Sequence, residues 1–287
     1  MPASVANLGS GYDSLGLALS LFLEVEGGRA EKDEFFYEGE GEIKLADPGD
    51  SLIHRAWRRA FSRLGKEAPP LSVRVFNPIP LARGLGSSAA AIVAGAALAD
   101  LESEGALGRE GVFEVAAEME GHPDNAGASA LGGFVVGYGP PWRAETLAFP
   151  PELLVAVAVP PFEVPTERAR AVLPQEVPRA DAVYNLSRTA LWPLALLTGR
   201  YHVLKEAAQD QLHQPYRFAL MPGAKEAMAA ALSAGALAAF VGGAGPAVAA
   251  VVERAKAERV ARALADYAGE GQVLVLEAAG GYSWKAI

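Results

Sequence analysis

Apolar and polar positions change rhythm several times along the chain. From Ser72 to Phe76, Val73 and Val75 alternate with polar or exposed positions, and the alternation predicts a half-buried strand. Ser51 to Leu64 repeats its apolar residues at helical spacing, with Ser51 placed to cap the first turn. Ser88 to Leu101 is apolar on nearly every side and predicts a buried helix. Glu110 to Glu120 predicts another helix, stopped by Gly121 and Pro123. Gly132 to Tyr138 has strand character, and Leu153 to Val159 is an unbroken apolar strand. Ala180 to Tyr201 is mostly helical. Ala238 to Val241, a glycine turn, Ala247 to Val252, an amphipathic helix over Glu253 to Tyr267 and a strand over Gln272 to Glu277 close the chain. That order predicts helices laid on one sheet, an α+β layer. The proline- and glycine-rich joints at Gly139-Pro140-Pro141 and Pro150-Pro151 mark the region between two domains, expected at residues 1–145 and 146–287.

With 287 residues, of which 51% are hydrophobic, the chain has material for a substantial core. A net charge of −9 and the lack of any polybasic run argue against nucleic acid as a partner. No apolar run reads as a membrane span, and Met1-Pro2-Ala3-Ser4 lacks the basic start and apolar core of a signal peptide. The absence of cysteine excludes disulfides and thiolate metal sites. Together these features fit a cytoplasmic enzyme.

The chemistry is concentrated in glycine-rich runs. Arg83-Gly84-Leu85-Gly86-Ser87-Ser88-Ala89 leads into the buried helix, after the proline-punctuated Asn77-Pro78-Ile79-Pro80-Leu81. Glycines let a backbone approach a ligand closely, serines add hydroxyls, and a helix start supplies free N–H groups and a positive dipole end. The basic Arg83 and the paired serines favour a phosphate loop over a plain tight turn. A Walker loop requires a lysine after the second glycine, and none follows Gly86. A dinucleotide fingerprint requires a strand running into the first glycine, and Pro78 and Pro80 interrupt that approach.

Five further segments are candidates for a site. Asn7 and Asp13 flank a glycine turn and offer an amide and a carboxylate to an ammonium or hydroxyl. Glu118-Met119-Glu120-Gly121-His122-Pro123-Asp124-Asn125 crowds carboxylates, a histidine and an amide at a helix end, where a carboxylate could hold Mg²⁺. Val241-Gly242-Gly243-Ala244-Gly245-Pro246 is either a simple hairpin turn or one wall of a pocket. Thr166 to Arg170 and Gln211 to Arg217 bring arginines suited to carboxylates. In isolation each is as well explained by an ordinary turn, a solvated helix face or a surface charge.

Taken in order, the run Pro2 to Leu17, the glycine–serine run and the Val241–Pro246 turn resemble the three motifs of the GHMP kinase superfamily. Pro2 to Leu17, Glu120-Gly121-His122-Pro123-Asp124-Asn125 and Pro215-Tyr216-Arg217 are similar to segments of its homoserine kinase family. The resemblance spans nearly the whole chain. It implies an α+β fold of two domains, the first like ribosomal protein S5 domain 2 and the second ferredoxin-like. It also implies transfer of the ATP γ-phosphate to the hydroxyl of L-homoserine in threonine biosynthesis. Pro80, Arg83, Gly84, Leu85, Gly86, Ser87, Ser88, Ala89, Gly243 and Gly245 would contact ATP. Glu120 and Ser88 would hold Mg²⁺, with Glu118 the second candidate. Asn7 and Asp13 would take the substrate ammonium, and Arg170 and Arg217 its carboxylate, with Thr166 and His122 nearby. Asn125 would orient the attacking hydroxyl, with Asp124 as the alternative base. The expected partners are L-homoserine and, in a homodimer, a second copy of the chain. Two departures stand out. The chain starts at the Pro-Ala-Ser signature, where homoserine kinases usually have a strand before it. Gly242 stands where the third superfamily motif normally opens with serine.

Overall fold

The computed structural model describes residues 1–41 and 51–285. The first half runs β1 (Pro2–Ala6), β2 (Leu15–Phe22), β3 (Glu24–Arg29), β4 (Glu34–Gly39), α1 (Leu52–Arg63), β5 (Leu71–Asn77), α2 (Ser87–Glu102), α3 (Gly108–Glu120), α4 (Asp124–Leu131), β6 (Phe134–Tyr138) and β7 (Arg143–Leu147). The second runs β8 (Leu153–Val159), α5 (Thr166–Ala171), α6 (Arg179–Thr189), α7 (Leu191–Thr198), α8 (Leu204–Ala207), α9 (Gln214–Arg217), α10 (Ala224–Ser233), β9 (Ala238–Val241), β10 (Val248–Glu253), α11 (Ala257–Ala268) and β11 (Gln272–Leu276).

Three sheets result, ordered β1-β2-β6-β7, β3-β5-β4 and β11-β8-β10-β9. The first and third are antiparallel throughout, and the second contains one parallel pair, β4 with β5. The strand signature Pro2 to Ala6 is itself an edge strand, paired with β2. The alternation of β5 is visible in its burial: Leu71, Val73 and Val75 point into the core while Arg74 and Phe76 are exposed.

β8 shows why its apolar run has no polar positions. Val155, Val157 and Val159 face a core shared with Leu17, Phe134 and Trp192. Leu154, Ala156 and Ala158 face a second cluster under α10 and α11, with Ala224, Val260 and Leu264. Both faces of the strand are covered, so neither needs a polar residue. Trp192 joins the halves, stacked on Phe134 at 6.2 Å and edge-on to Phe240 at 5.9 Å.

The boundary expected at 145/146 falls inside β7, which completes the first sheet by pairing with β6. The chain changes sheet between Leu147 and Leu153. Past β11 it returns to the first sheet, where Ala278 bridges Leu19 and Gly280 bridges Gly132. Ser51 occupies the capping position of α1 but makes no side-chain capping bond, and its buried hydroxyl has no hydrogen-bond partner.

Candidate active site

Two glycines set the path of the loop before α2. Gly84 adopts φ +78°, and a Cβ there would lie 1.9 Å from the carbonyl oxygen of Gly242. Gly86 adopts φ +70°, and its Cβ would fall 2.0 Å from Ser4 Oγ and 3.1 Å from Asn125 Oδ1. Any side chain at either point would push the loop off the walls it lies against. Gly86 is the left-handed residue before α2, so the N–H groups of Ser87, Ser88 and Ala89 lie in the first helical turn, without partners inside the helix. Asn77 fixes the approach by donating to Ser87 Oγ at 3.1 Å and to the Tyr37 hydroxyl at 2.8 Å.

The glycine turn after β9 meets the N-terminal turn through one atom. The Gly243 carbonyl accepts from Asn7 Nδ2 at 2.9 Å and from Arg217 Nη1 at 3.0 Å. Asn7 Oδ1 in turn accepts from the Asp13 backbone N–H at 2.9 Å. Both ends of the Asn7 amide are thus engaged in shaping the turn that presents Asp13. Arg170 grips the Asp13 carboxylate through two nitrogens, at 2.8 and 3.0 Å, and donates to the Tyr12 hydroxyl at 3.0 Å. Arg217 is only 2% exposed, and burial pulls its pKa down from the usual arginine value.

The Glu120–Asn125 segment divides its groups between two tasks. Ser88 Oγ donates to Glu120 Oε1 at 2.5 Å, and the accepting carboxylate side chain is 13% exposed. Burial raises the Glu120 pKa against the opposing pull of that hydrogen bond. Asp124 Oδ1 takes both His122 Nδ1, at 2.5 Å, and the Asn125 N–H, at 2.7 Å. For His122, burial disfavours the charged ring, but the Asp124 hydrogen bond and the charges of Asp124, Glu120 and Asp13 together outweigh it and raise the pKa. Ser4 Oγ donates to Asn125 Oδ1 at 2.8 Å, which leaves Asn125 Nδ2 as the free end of that amide.

One cavity of about 330 Å³ collects these groups, within the range of small-ligand sites. Of the residues predicted from sequence, Asn7, Asp13, Pro80, Gly84, Leu85, Gly86, Ser87, Ser88, Glu120, His122, Asp124, Asn125, Thr166, Arg170, Arg217 and Gly243 line it. Arg83, Ala89 and Gly245 are outside the lining. Arg83 points away from the loop it belongs to. Its guanidinium donates to the carbonyls of Leu81, Pro160 and Pro161 and pairs with Glu163 at 3.2 Å, so the side chain is spent on holding two loops together. Ala89 is fully buried and Gly245 packs against Met221 and Val241, which leaves only their backbones to offer. Glu118, the second metal candidate, is bound to Arg59 and Arg63 of α1 at 2.8 and 2.7 Å.

The cavity also contains residues that sequence reasoning passed over. Phe35, Tyr37, Leu52, Ile53 and Asn77 form an apolar portion with a single amide. Tyr12 and Ser4 act through Arg170 and Asn125. Ser4 stood inside a recognised motif, but nothing in its spacing shows that its partner lies 121 residues away. Acidic and basic groups, a helix start with free N–H groups and an apolar recess thus share one space. The set is suited to a nucleotide beside a small zwitterion.

The sequence matches the GHMP kinases N terminal domain over residues 51–133 and GHMP kinases C terminal over residues 194–270. It is 56% identical over 286 residues to a homoserine kinase of Thermus thermophilus, covering 99% of this chain and 97% of that one. A homoserine kinase of Moorella thermoacetica is 41% identical over 250 residues, covering 86% and 84%. Among solved structures, homoserine kinase from Cytophaga hutchinsonii superimposes with a TM-score of 0.85 at 26% identity, over 96% of this chain and 92% of that one. Mevalonate kinase of L. major in complex with R-mevalonate shares the fold at a TM-score of 0.73 and 14% identity, over 98% and 95%.

Proposed function

The chain belongs to the homoserine kinases of the GHMP kinase family, and from that premise we propose how its own residues carry the reaction. The activity is transfer of the ATP γ-phosphate to the side-chain hydroxyl of L-homoserine, yielding ADP and O-phospho-L-homoserine for threonine biosynthesis. One observation supports the assignment of roles above the rest. A single cavity holds the glycine loop, an apolar recess and a charge set of one aspartate and two arginines. A buried zwitterion demands partners of both signs, and this set supplies them.

The nucleobase sits in the recess of Phe35, Tyr37 and Leu52, near the Asn77 amide. The free N–H groups at the start of α2 take the phosphate oxygens, and the backbone at Gly84 and Gly86 lets the phosphates come close. Ser88 Oγ and Glu120 Oε1 are oxygen donors that already meet at 2.5 Å, which fits Mg²⁺. When bound, Mg²⁺ neutralises phosphate charge and thereby lowers the cost of building it up in the transition state. Asp13 receives the substrate ammonium, and Arg170 and Arg217 its carboxylate.

Asn125 directs its free Nδ2 to the homoserine hydroxyl and aims the oxygen at the γ-phosphorus. The new P–O bond forms as the bond from γ-phosphorus to the β–γ bridging oxygen breaks, with ADP as the leaving group, and the hydroxyl proton passes to a non-bridging oxygen of the transferred phosphoryl group and then to solvent. No strong side-chain base is required, because such transfers depend chiefly on positioning and electrostatics. Asp124 is poorly suited to that task, since one of its oxygens is committed to His122 and Asn125. It serves instead to hold His122 in place.

We also propose a homodimer through α6 and α7, where Val183, Leu186, Leu194 and Leu197 are between 45% and 70% exposed. Light scattering of the wild type and of Leu186→Glu checks it, with a shift from dimer to monomer expected. No helix of the described residues is long and apolar enough to cross a membrane, and water-soluble substrates fit a cytoplasmic enzyme. ADP release with a panel of alcohols tests the activity: turnover with homoserine supports it, and turnover with mevalonate or galactose alone overturns it.

A further inference from the structure

His213 lies outside the cavity and belongs to no role assigned so far. It is completely buried at the start of α9. Its two ring nitrogens reach opposite parts of the substrate site. Nδ1 lies 3.1 Å from Arg217 Nη1, and Nε2 lies 2.8 Å from the carbonyl oxygen of Gly9. A guanidinium nitrogen can only donate, so Nδ1 must accept. The ring proton is therefore on Nε2, where it donates to Gly9. The acceptor role of Nδ1 requires a neutral imidazole, and burial drives the His213 pKa down to about 4.

What His213 holds is a strained turn. Asn7, Leu8 and Asp13 have φ of +67°, +44° and +52°, a region that residues other than glycine adopt only under constraint. The constraint comes from the second half of the chain. Trp192 Nε1 donates to the Leu8 carbonyl at 3.1 Å, Asn185 Nδ2 to the Ser10 carbonyl at 2.9 Å, and His213 to Gly9 between them. Trp192 and Asn185 tie the turn to Ala207 and Asp210. His213 touches the turn and Arg217 together, and its ring packs on Tyr12 at 5.3 Å.

We propose that His213 is a positioning residue for the amino-acid substrate, setting the spacing between the Asp13-bearing turn and Arg217. The inference rests on the reading of Asp13 and Arg217 as the ammonium and carboxylate sites. His213 shares this task with the Gly243 carbonyl, which accepts from both Asn7 and Arg217, and is the side chain that bridges the turn and Arg217 from the buried side. ATP, which contacts neither group, does not depend on it.

Steady-state kinetics of three variants, each checked by circular dichroism and melting temperature, test this. His213→Leu keeps the volume and loses both bonds. It is expected to raise KM for homoserine by roughly tenfold or more, with KM for ATP within about twofold of wild type. His213→Asn keeps an acceptor near the Nδ1 position and recovers part of the loss. Arg217→Ala must raise KM for homoserine for the underlying reading to stand. If it does, while His213→Leu leaves homoserine unchanged or raises both KM values in parallel, the inference is overturned. If Arg217→Ala leaves KM for homoserine unchanged, the carboxylate assignment fails, and with it the inference.

Discussion

Ser4 donates its hydroxyl to Asn125 Oδ1 at 2.8 Å, and so fixes which end of the Asn125 amide is left for a ligand. A residue at the third position of the chain's first strand orients one at the start of α4. Ser4→Ala frees the amide to flip and costs about one hydrogen bond, or roughly tenfold in kcat. Asn125→Ala removes the group itself and is expected to cost about 10²–10³ in kcat, the range for a preorganised donor. Comparing kcat of the two variants with the wild type checks both. If Asp124→Ala abolished turnover and Asn125→Ala weakened only binding, attack without a base would be wrong.

Glu120 and Glu118 separate by their partners. Glu120→Gln is expected to raise the Mg²⁺ concentration for half-maximal activity by about tenfold or more, since a charged ligand is replaced by a neutral one. Glu118→Gln removes only surface pairs with Arg59 and Arg63, worth roughly 0–1 kcal/mol, and leaves the Mg²⁺ requirement unchanged. Titrating Mg²⁺ against initial rate in both variants decides the point.

His122 ties stability to pH. Its pKa rises on folding from the usual 6.5, the Asp124 hydrogen bond and nearby carboxylates outweighing burial. A histidine shifted in this direction adds stability that is fully present below pH 6.5 and is lost as pH climbs through the raised value. The melting temperature of wild type minus that of His122→Gln should therefore be larger at about pH 6 than at about pH 9. An equal difference at both would show that the pair contributes through shape alone.

Arg83 is a clamp between loops. Arg83→Met loses bonds to three carbonyls and the pair with Glu163. It should destabilise the fold by about 1–3 kcal/mol while KM for ATP changes by less than about twofold. Denaturant unfolding and ATP kinetics on one preparation separate the two effects.

These cases show what can be read from residues in a row. The loop at Gly84–Ser88 and the helix behind it were legible, because small residues, serines and an apolar helix are local features. The apolar run of β8 was legible for the same reason, although its cause, burial on both faces, comes from elements on either side. β3 was hidden, since Glu24 to Arg29 is a half-exposed strand with two glycines and little alternation. The partners of the Arg83 side chain were not legible, because a cation beside a glycine loop suits a phosphate and only the fold brings the carbonyls of Pro160 and Pro161 within reach. The apolar recess was missed because Phe35, Tyr37, Leu52 and Asn77 come from three separate elements and share no motif.

The most direct measurement is a crystal structure with L-homoserine, Mg²⁺ and a non-hydrolysable ATP analogue. The homoserine ammonium should lie on Asp13, its carboxylate between Arg170 and Arg217, and its hydroxyl within hydrogen-bond distance of Asn125 Nδ2. The triphosphate should rest on the N–H groups at the start of α2. A carboxylate bound away from both arginines, or a hydroxyl out of reach of Asn125, would contradict this account of the site.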